Sequence, residues 1–142
     1  MHITSLELFD FRSWPTLSLS PGVGLNVLVG PNAQGKTNLL ESLYALATTK
    51  SHRTSRDSDL IRFGAPAARI AASVAREGAG ETFLELALGA PGQGSAAKLV
   101  KINHGKQPRV TDLLGHLNDP FRGEPIKQCH QCCGLCGTFE SI

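Results

Sequence analysis

Eight consecutive residues have the types and the spacing of a phosphate-binding loop: Gly30-Pro31-Asn32-Ala33-Gln34-Gly35-Lys36-Thr37. They match every fixed position of the pattern G-x-x-x-x-G-K-[ST]. Gly30 and Gly35 would let the backbone pass close to phosphate oxygens, because no Cβ stands in the way. We expect Lys36 to face the β- and γ-phosphates of a nucleotide and the Thr37 hydroxyl to ligate Mg²⁺. The alternative is a glycine-rich turn that binds nothing.

A strand before this loop and a helix after it are the elements that would position it. Gly24 to Val29 is a short apolar run entered through Pro21-Gly22, which predicts a strand buried on both faces. From Asn38 to Ala47, apolar residues recur every three or four positions, which predicts an amphipathic helix. In this order, the N–H groups of the loop and of the helix N-terminus would point at one anion.

The residues ahead of this unit predict a β-hairpin. Leu6 to Leu8 and Leu17 to Leu19 alternate as half-buried strands do, with residues 10–15 as the connecting turn. The triplet Phe11-Arg12-Ser13 in that turn places a guanidinium near a strand end. It could lie beside the phosphate loop, or it could simply be solvated.

A polar, basic stretch follows the helix, over residues 48–56, and is predicted to be a loop. Lys50, His52, Arg53 and Arg56 could face the phosphate groups of a nucleotide or of a nucleic acid, or could be a solvated charge excess. Residues 57–64 predict a short helix, with acidic residues in its first turn and Gly64 as its left-handed end.

The next part of the chain predicts an antiparallel meander of three strands. The strand-like stretches are Ala67 to Arg76, Glu81 to Leu88 and Lys98 to Asn103. Leu84, Leu86 and Leu88 would share one face of the meander. Residues 103–106 predict a further turn, in which Gly105 is able to take positive φ, and a short helix could start at Thr111.

Composition and charge are those of an ordinary soluble protein, with 41% hydrophobic residues, 18% charged residues and a net charge of +2. That charge is too small to argue for nucleic acid binding by itself. The 142 residues suffice for one modest core, in a single domain or in part of a larger one. No stretch has the length of a membrane span and the N-terminus has no signal-like region, so we expect a cytosolic protein.

All four cysteines fall between Cys129 and Cys136. Their two C-x-x-C pairs abut, whereas a four-cysteine zinc site ordinarily separates its pairs by a long loop. One pair together with His130 could still bind a metal. We favour the alternative of an unstructured tail that is unrelated to the preceding domain.

Three stretches taken together resemble the N-terminal part of the RecF family of bacterial DNA replication and repair proteins, up to about Asn118. They are Ile3 to Leu8 leading to Phe11-Arg12-Ser13, the run from Leu25 to Glu41, and Ser51-His52-Arg53-Thr54. The resemblance implies an α/β P-loop NTPase fold, the first part of an ABC-type head akin to chromosome-maintenance ATPases, with a mixed sheet and an antiparallel meander. It also implies that Arg12 lies against the nucleotide, that Ser13 touches the base and that Arg53 lines the same site.

In that family, two subunits enclose two ATP molecules, and the dimer binds single-stranded and gapped DNA, works with recombination mediators and serves recombinational repair and the SOS response. The family's chain is more than twice as long, and its second half carries the acidic residues that hold Mg²⁺ and activate water. No run of four apolar residues followed by an acidic pair occurs after Lys36. We therefore expect that this chain by itself binds ATP weakly and does not turn it over.

Residues 1–118 are accordingly predicted to form a partial ATPase head, and residues 119–142 a cysteine-rich segment that packs against nothing, as a frameshift or a chimeric gene would produce. Two alternatives stay open. One is a small zinc- and nucleic-acid-binding module built on Cys129 to Cys136. The other is a non-functional fragment that aggregates through an unpaired sheet edge.

Overall fold

The computed structural model describes residues 1–76, 78, 80–90, 98–114 and 116–117. Within this part of the chain, six strands form one antiparallel sheet in the order β2-β1-β3-β4-β5-β6. The strands are β1 His2–Phe11, β2 Trp14–Leu19, β3 Ala67–Arg76, β4 Gly80–Gly89, β5 Lys98–Ile102 and β6 Gly105–Lys106. One helix, α1, spans Lys36–Thr48, and 3-10 segments span Asp57–Leu60 and Val110–Leu113.

The predicted hairpin is confirmed, with a tighter connection than the sequence suggested. Phe11 of β1 pairs with Trp14 of β2, so that only Arg12 and Ser13 connect the strands. Arg12 takes a left-handed conformation with φ 53°. The backbone N–H of Arg12 donates to the carbonyl of Leu60 at 2.9 Å, which ties this turn to the 3-10 segment.

The predicted meander is also confirmed, and it supplies a large share of the core. β3 pairs with β4 and β4 with β5, all antiparallel. Leu84, Leu86 and Leu88 share one face and are almost completely inaccessible to solvent. The alternation of apolar residues in β4 therefore predicted the buried face correctly. Against this face α1 contributes its own buried apolar residues, Leu39, Ala45, Leu46 and Ala47.

The prediction of a buried strand over Gly24 to Val29 is wrong for the structure described here. This segment forms no strand, and Leu25 and Val29 are 92% and 90% exposed. A strand covered on both faces needs a strand beside it and a layer on each face, and the described residues place neither there. The expected mixed sheet is likewise absent from this part of the chain, where every strand pair is antiparallel.

Smaller corrections concern the turns. The predicted helix over residues 57–64 is a 3-10 turn that ends at Leu60, because Ile61 leaves it to bridge Phe11. The turn between β5 and β6 has positive φ at Asn103 and His104, 48° and 65°, and Gly105 lies in β6. The segment predicted to start at Thr111 is the 3-10 segment Val110–Leu113.

The cysteine cluster from Cys129 to Cys136, with His130, lies outside the described residues, as does the rest of the segment 119–142. The predictions made for that segment therefore stay predictions. Among the described residues, no helix is long and apolar enough to cross a membrane.

Candidate functional site

The phosphate-loop pattern leads directly into the start of α1. Gly35 is the N-cap with φ 89°, no side chain caps the helix there, and its first turn holds no acidic residue. The backbone N–H groups of the first turn and the positive end of the helix dipole are therefore not neutralised by a capping side chain. A cavity of about 400 Å³ opens at this end of the helix. Its lining residues are Asn32, Ala33, Gly35, Lys36, Thr37, Asn38, Leu40 and Arg53.

Lys36 contacts the backbone of its own loop. Its ammonium group donates to the carbonyl oxygens of Gly30 and Pro31, the latter at 2.7 Å. These contacts hold the two ends of the loop together around a positive charge. Five of the eight loop residues predicted to bind phosphate line the cavity at the start of α1. The other three, Gly30, Pro31 and Gln34, line a neighbouring apolar cavity.

The β1–β2 turn packs against the C-terminal end of the loop. Trp14 Nε1 donates to the carbonyl oxygen of Gly35 at 3.3 Å. A Cβ on residue 35 would lie 2.9 Å from the indole ring and 3.0 Å from Ser13 Oγ. Glycine is thus required at this position for the close approach of the indole as well as for the positive φ.

A carboxylate that sequence reasoning did not single out connects the site residues. Glu41, on α1, is 0% exposed and receives Arg12 Nη2 at 2.8 Å on Oε1 and Arg12 Nε at 3.0 Å on Oε2. Ser51 Oγ donates to Oε1 at 2.5 Å, and Arg53 Nη1 donates to Oε2 at 3.2 Å. The sequence did contain a signal for this residue: Glu41 lies four positions before Ala45, and hence on the helix face that is otherwise apolar and buried.

A second chain of hydrogen bonds joins the same segments closer to the loop. Arg53 Nη1 also donates to Asn38 Oδ1 at 3.0 Å, and Asn38 Nδ2 donates to Ser13 Oγ at 2.9 Å. The structure therefore brings Arg12, Ser13 and Arg53 together, although they come from two separate loops.

These residues also line a larger cavity of about 720 Å³. Arg12 and Ser13 form one side of it, and the segment 58–65 contributes to the other. Asn38 and Arg53 line both this cavity and the one at the phosphate loop. The two cavities are thus adjacent, one with the helix N-terminus and Lys36, and the other with the β1–β2 turn.

The four basic side chains of the loop after α1 differ in the cavities that they line. Lys50, His52 and Arg53 line one cavity together, and Arg53 also lines the phosphate-loop cavity. His52 packs edge-on against the ring of Tyr44, with 5.1 Å between ring centroids. Arg56 is exposed and is absent from the residues that line either nucleotide-sized cavity.

The electrostatics of the cluster favour an ionised Glu41. Burial raises the pKa of its carboxyl group, but the hydrogen bonds from Arg12 and Ser51 and the charges of Arg12 and Arg53 together outweigh burial and hold the pKa below its usual value. At neutral pH the cluster therefore contains one carboxylate and two guanidinium groups. It keeps one net positive charge beside the cavities.

In the part of the chain that the structure describes, no three His, Cys, Asp or Glu side chains come together as a metal site. Thr37 lines the phosphate-loop cavity, and no aspartate or glutamate among the described residues does.

Comparison with known proteins places this geometry in a family. A family model described as an AAA domain matches residues 5–119. The DNA replication and repair protein RecF of Pediococcus pentosaceus is 48% identical over 118 residues, which is 83% of this chain and 30% of the relative. RecF of Staphylococcus aureus is 44% identical over 119 residues, with the same shares. The chain thus spans about a third of the length of these relatives.

Solved structures agree with this placement. A structure of the recombination mediator protein RecF with ATP is 28% identical, with a TM-score of 0.74, over 81% of this chain and 31% of that one. A structure from a study of SMC ATPases is 19% identical, with a TM-score of 0.66, over 95% of this chain and 99% of that one, and shares the fold. The chain therefore belongs to the AAA domain family and has the P-loop fold of the N-terminal portion of an ABC-type, SMC-like ATPase head, similar to that of RecF.

Proposed function

We propose that this chain binds ATP with Mg²⁺ at the loop from Gly30 to Thr37, as the nucleotide-binding part of a RecF-like DNA replication and repair protein. The observation that carries the proposal is the pair of adjoining cavities that share Asn38 and Arg53. A nucleotide has an anionic end and a base end. One of the two cavities has the helix N-terminus with Lys36, and the other, which is more open, has the β1–β2 turn. The ATP that accompanies the RecF structure at 28% identity supports the choice of ligand.

The phosphates would bind at the start of α1, near Lys36. Its ammonium group lies against the loop carbonyls of Gly30 and Pro31, and in the complex it would donate to a phosphate oxygen. Arg53, half-exposed between the cavities, would contact the phosphate chain, and Arg12 and Ser13 would border the ribose and the base. Arginine suits this role because its planar fork of donors matches phosphate oxygens.

The residues present fit Mg²⁺ in part. Thr37 supplies one hydroxyl oxygen at the cavity, and Mg²⁺ ordinarily takes a few protein oxygens together with substrate phosphates and water. When bound, the ion would neutralise phosphate charge. No carboxylate among the described residues lines this cavity to orient an attacking water, and we propose that the chain alone binds ATP without hydrolysing it.

The remaining parts of the proposal extend the similarity to RecF. Residues 1–118 would act as the ATP-binding lobe of a cytoplasmic head, with 119–142 as a separate segment. ATP would promote a homodimer that binds single-stranded and gapped DNA, and recombination mediators would join it in recombinational repair and in the SOS response. A structure from a study of ATP-driven dimerisation and DNA-stimulated activation of SMC ATPases shares the fold.

The test is calorimetric titration of the 142-residue chain with ATP·Mg²⁺, compared with Lys36→Ala. Lys106→Ala is the matched control, because Lys106 is an exposed lysine on the edge strand β6 and its removal changes the net charge equally. We expect binding that Lys36→Ala reduces at least about tenfold and that Lys106→Ala leaves unchanged. Equal binding by all three proteins contradicts the proposed site, and ATP turnover that depends on Lys36 contradicts binding without hydrolysis.

A further inference from the structure

Glu41 is a fully buried carboxylate without a chemical task in the proposed binding of ATP. It lies four residues after Thr37 on α1, and hence on the same face of the helix, one turn away from the phosphate loop. Its two oxygens accept four hydrogen bonds, two from Arg12 and one each from Ser51 and Arg53. A carboxylate has about four lone-pair sites, so Glu41 has no acceptor capacity left for a ligand, and any effect on a nucleotide must pass through its partners.

The two arginines hold Glu41 in different ways. Arg12 contacts it through Nε and Nη2 together, the bidentate geometry that fixes a guanidinium plane, and its side chain is 21% exposed. Arg53 reaches Glu41 and Asn38 through Nη1 alone and is 45% exposed. A guanidinium has five N–H groups. Among the described residues, those on Nε and Nη2 of Arg53 donate to no protein group, and they can serve a group in the cavities that Arg53 lines.

The β1–β2 turn supplies the second constraint on Arg12. Its left-handed backbone, φ 53°, is unusual for a residue other than glycine and is held by the hydrogen bond from its N–H to the Leu60 carbonyl. The backbone of Arg12 is therefore held by the 3-10 segment, and its side chain is held by Glu41 on α1. The loop that carries Arg53 is fixed through Ser51, whose hydroxyl also accepts from the backbone N–H of Arg53 at 2.9 Å.

We propose that Glu41 is a positioning residue of the nucleotide site, which holds the Arg12 and Arg53 guanidinium groups in the orientation that receives the nucleotide. This inference rests on the proposed binding of ATP. Electrostatic repulsion and orientation of the arginines predict opposite effects. Glu41 is an anion close to a site for an anion, so removing its charge should strengthen ATP binding if repulsion dominated. If orientation matters more, removing it weakens binding.

The test compares ATP affinity, by calorimetry, in the full chain and in Glu41→Gln. The matched control is Glu85→Gln, because Glu85 is also buried between two cations, with Arg69 at 3.1 Å and Lys101 at 2.7 Å, but lies in β4, outside both cavities. We expect Glu41→Gln to weaken ATP binding about tenfold, a factor within the range of measured couplings between contacting residues. Glu85→Gln should leave the affinity unchanged. Equal or tighter binding by Glu41→Gln overturns the inference.

A mutant cycle identifies the route. If Glu41 acts through the two arginines, adding Glu41→Gln to the double variant Arg12→Ala/Arg53→Ala should cost less than threefold in affinity, well below its effect in the unchanged chain. A purely structural role would reduce affinity by the same factor in both backgrounds, and that result also overturns the inference. Should Glu41→Gln not fold, Arg53→Lys decides: it keeps the charge at a half-exposed position but loses the planar fork, and unchanged ATP affinity would reject a role for orientation.

Wild type and Lys36→Ala, measured alongside, separate the two proposals. ATP binding that does not depend on Lys36 removes the proposed function and this inference with it. Lys36-dependent binding that is insensitive to Glu41→Gln leaves the proposed function standing and removes only the role of Glu41.

Discussion

The indole of Trp14 lies directly against the backbone of Gly35, and Trp14 Nε1 donates to the Gly35 carbonyl at 3.3 Å. A hydrogen atom in place of a side chain makes this contact possible, since a Cβ at residue 35 would come within 2.9 Å of the ring. One close contact thus joins the β1–β2 turn to the phosphate loop, and with it the cluster around Arg12 to the start of α1.

Gly35→Ala should therefore disrupt the loop through two separate effects. The left-handed backbone at φ 89° costs an L-residue roughly 1–2 kcal/mol, and the new methyl group collides with Trp14. We expect a loss of about 2–4 kcal/mol in unfolding free energy, with ATP binding reduced about a hundredfold or more. Urea denaturation and calorimetry measure the two quantities.

Gly24→Ala is the control for Gly35→Ala. Gly24 has almost the same φ, 90°, but a Cβ there meets nothing within 4 Å. Its cost should stay near or below about 1–2 kcal/mol, which is the backbone effect alone. Similar losses for the two variants would show that the contact with Trp14 is unimportant.

Acid should weaken the fold through Glu41. The pKa of its carboxyl is lower in the folded chain, where Arg12, Ser51 and Arg53 stabilise the anion, than the value of about 4.3 expected when unfolded. Between these two values the unfolded chain binds more protons, so stability rises with pH there. The contribution of Glu41 is fully present above about pH 5 and is lost as the pH falls through the folded pKa.

The measurement is the difference in unfolding free energy between wild type and Glu41→Gln, followed from pH 7 to pH 3. Near pH 7 we expect a difference of about 2 kcal/mol, less than for a fully buried pair because both arginines reach water. The difference should shrink toward pH 3. The other carboxylates titrate in both proteins, so their effects on stability cancel in the difference. A difference that stays constant over this range would mean that the pKa of Glu41 is the same in the folded and the unfolded chain, and would contradict the stabilisation of the anion by Arg12, Ser51 and Arg53.

The sequence predicted the elements whose pattern is local. In β4, Leu84, Leu86 and Leu88 alternate with their neighbours, and this period of two fixed both the strand and its buried face. The helix α1 was predictable for the same reason, with its period near 3.6. The phosphate loop needed only its eight consecutive residues.

Contacts between distant segments could not be predicted in this way. Arg12 and Glu41 are 29 positions apart. No sequence pattern predicts that an arginine in a turn will form an ion pair with a glutamate in a helix so far along the chain. The wrong prediction of a strand around Val27 has a different cause. The apolar run was recognised, but whether it forms a strand depends on neighbouring strands that the run itself does not encode.

The exposure of this segment makes a direct prediction. Val27 is 72% exposed, whereas Leu86 is inaccessible to solvent. We expect Val27→Asp to change the unfolding free energy by less than about 0.5 kcal/mol and Leu86→Ala to lower it by about 2–5 kcal/mol. Urea denaturation of both variants checks this, and a cost at Val27 comparable to that at Leu86 would mean that the sequence-based prediction of a buried strand was right.

Lys98 should control the stability of the loop that carries Arg53. From β5, its ammonium donates to the Thr49 carbonyl at 2.6 Å and to Asp57 Oδ1 at 2.8 Å, the two residues that border this loop. Lys98→Met keeps the aliphatic stem but removes both hydrogen bonds, which involve a charged donor and are worth about 1.5–3 kcal/mol each at most. Local opening of residues 50–56 should therefore become easier.

Limited trypsin digestion under native conditions measures that opening, because Lys50, Arg53 and Arg56 are cleavage sites within the loop and Lys98 is outside it. We expect cleavage of the loop to be about tenfold faster in Lys98→Met, the factor that corresponds to about 1.4 kcal/mol. Lys101→Met is the control, since the ammonium group of Lys101 pairs with Glu85 at 2.7 Å, whereas Thr49 and Asp57 are partners of Lys98. Equal cleavage rates in the two variants would show that β5 does not anchor this loop, and that Ser51 and Glu41 hold Arg53 in place by themselves.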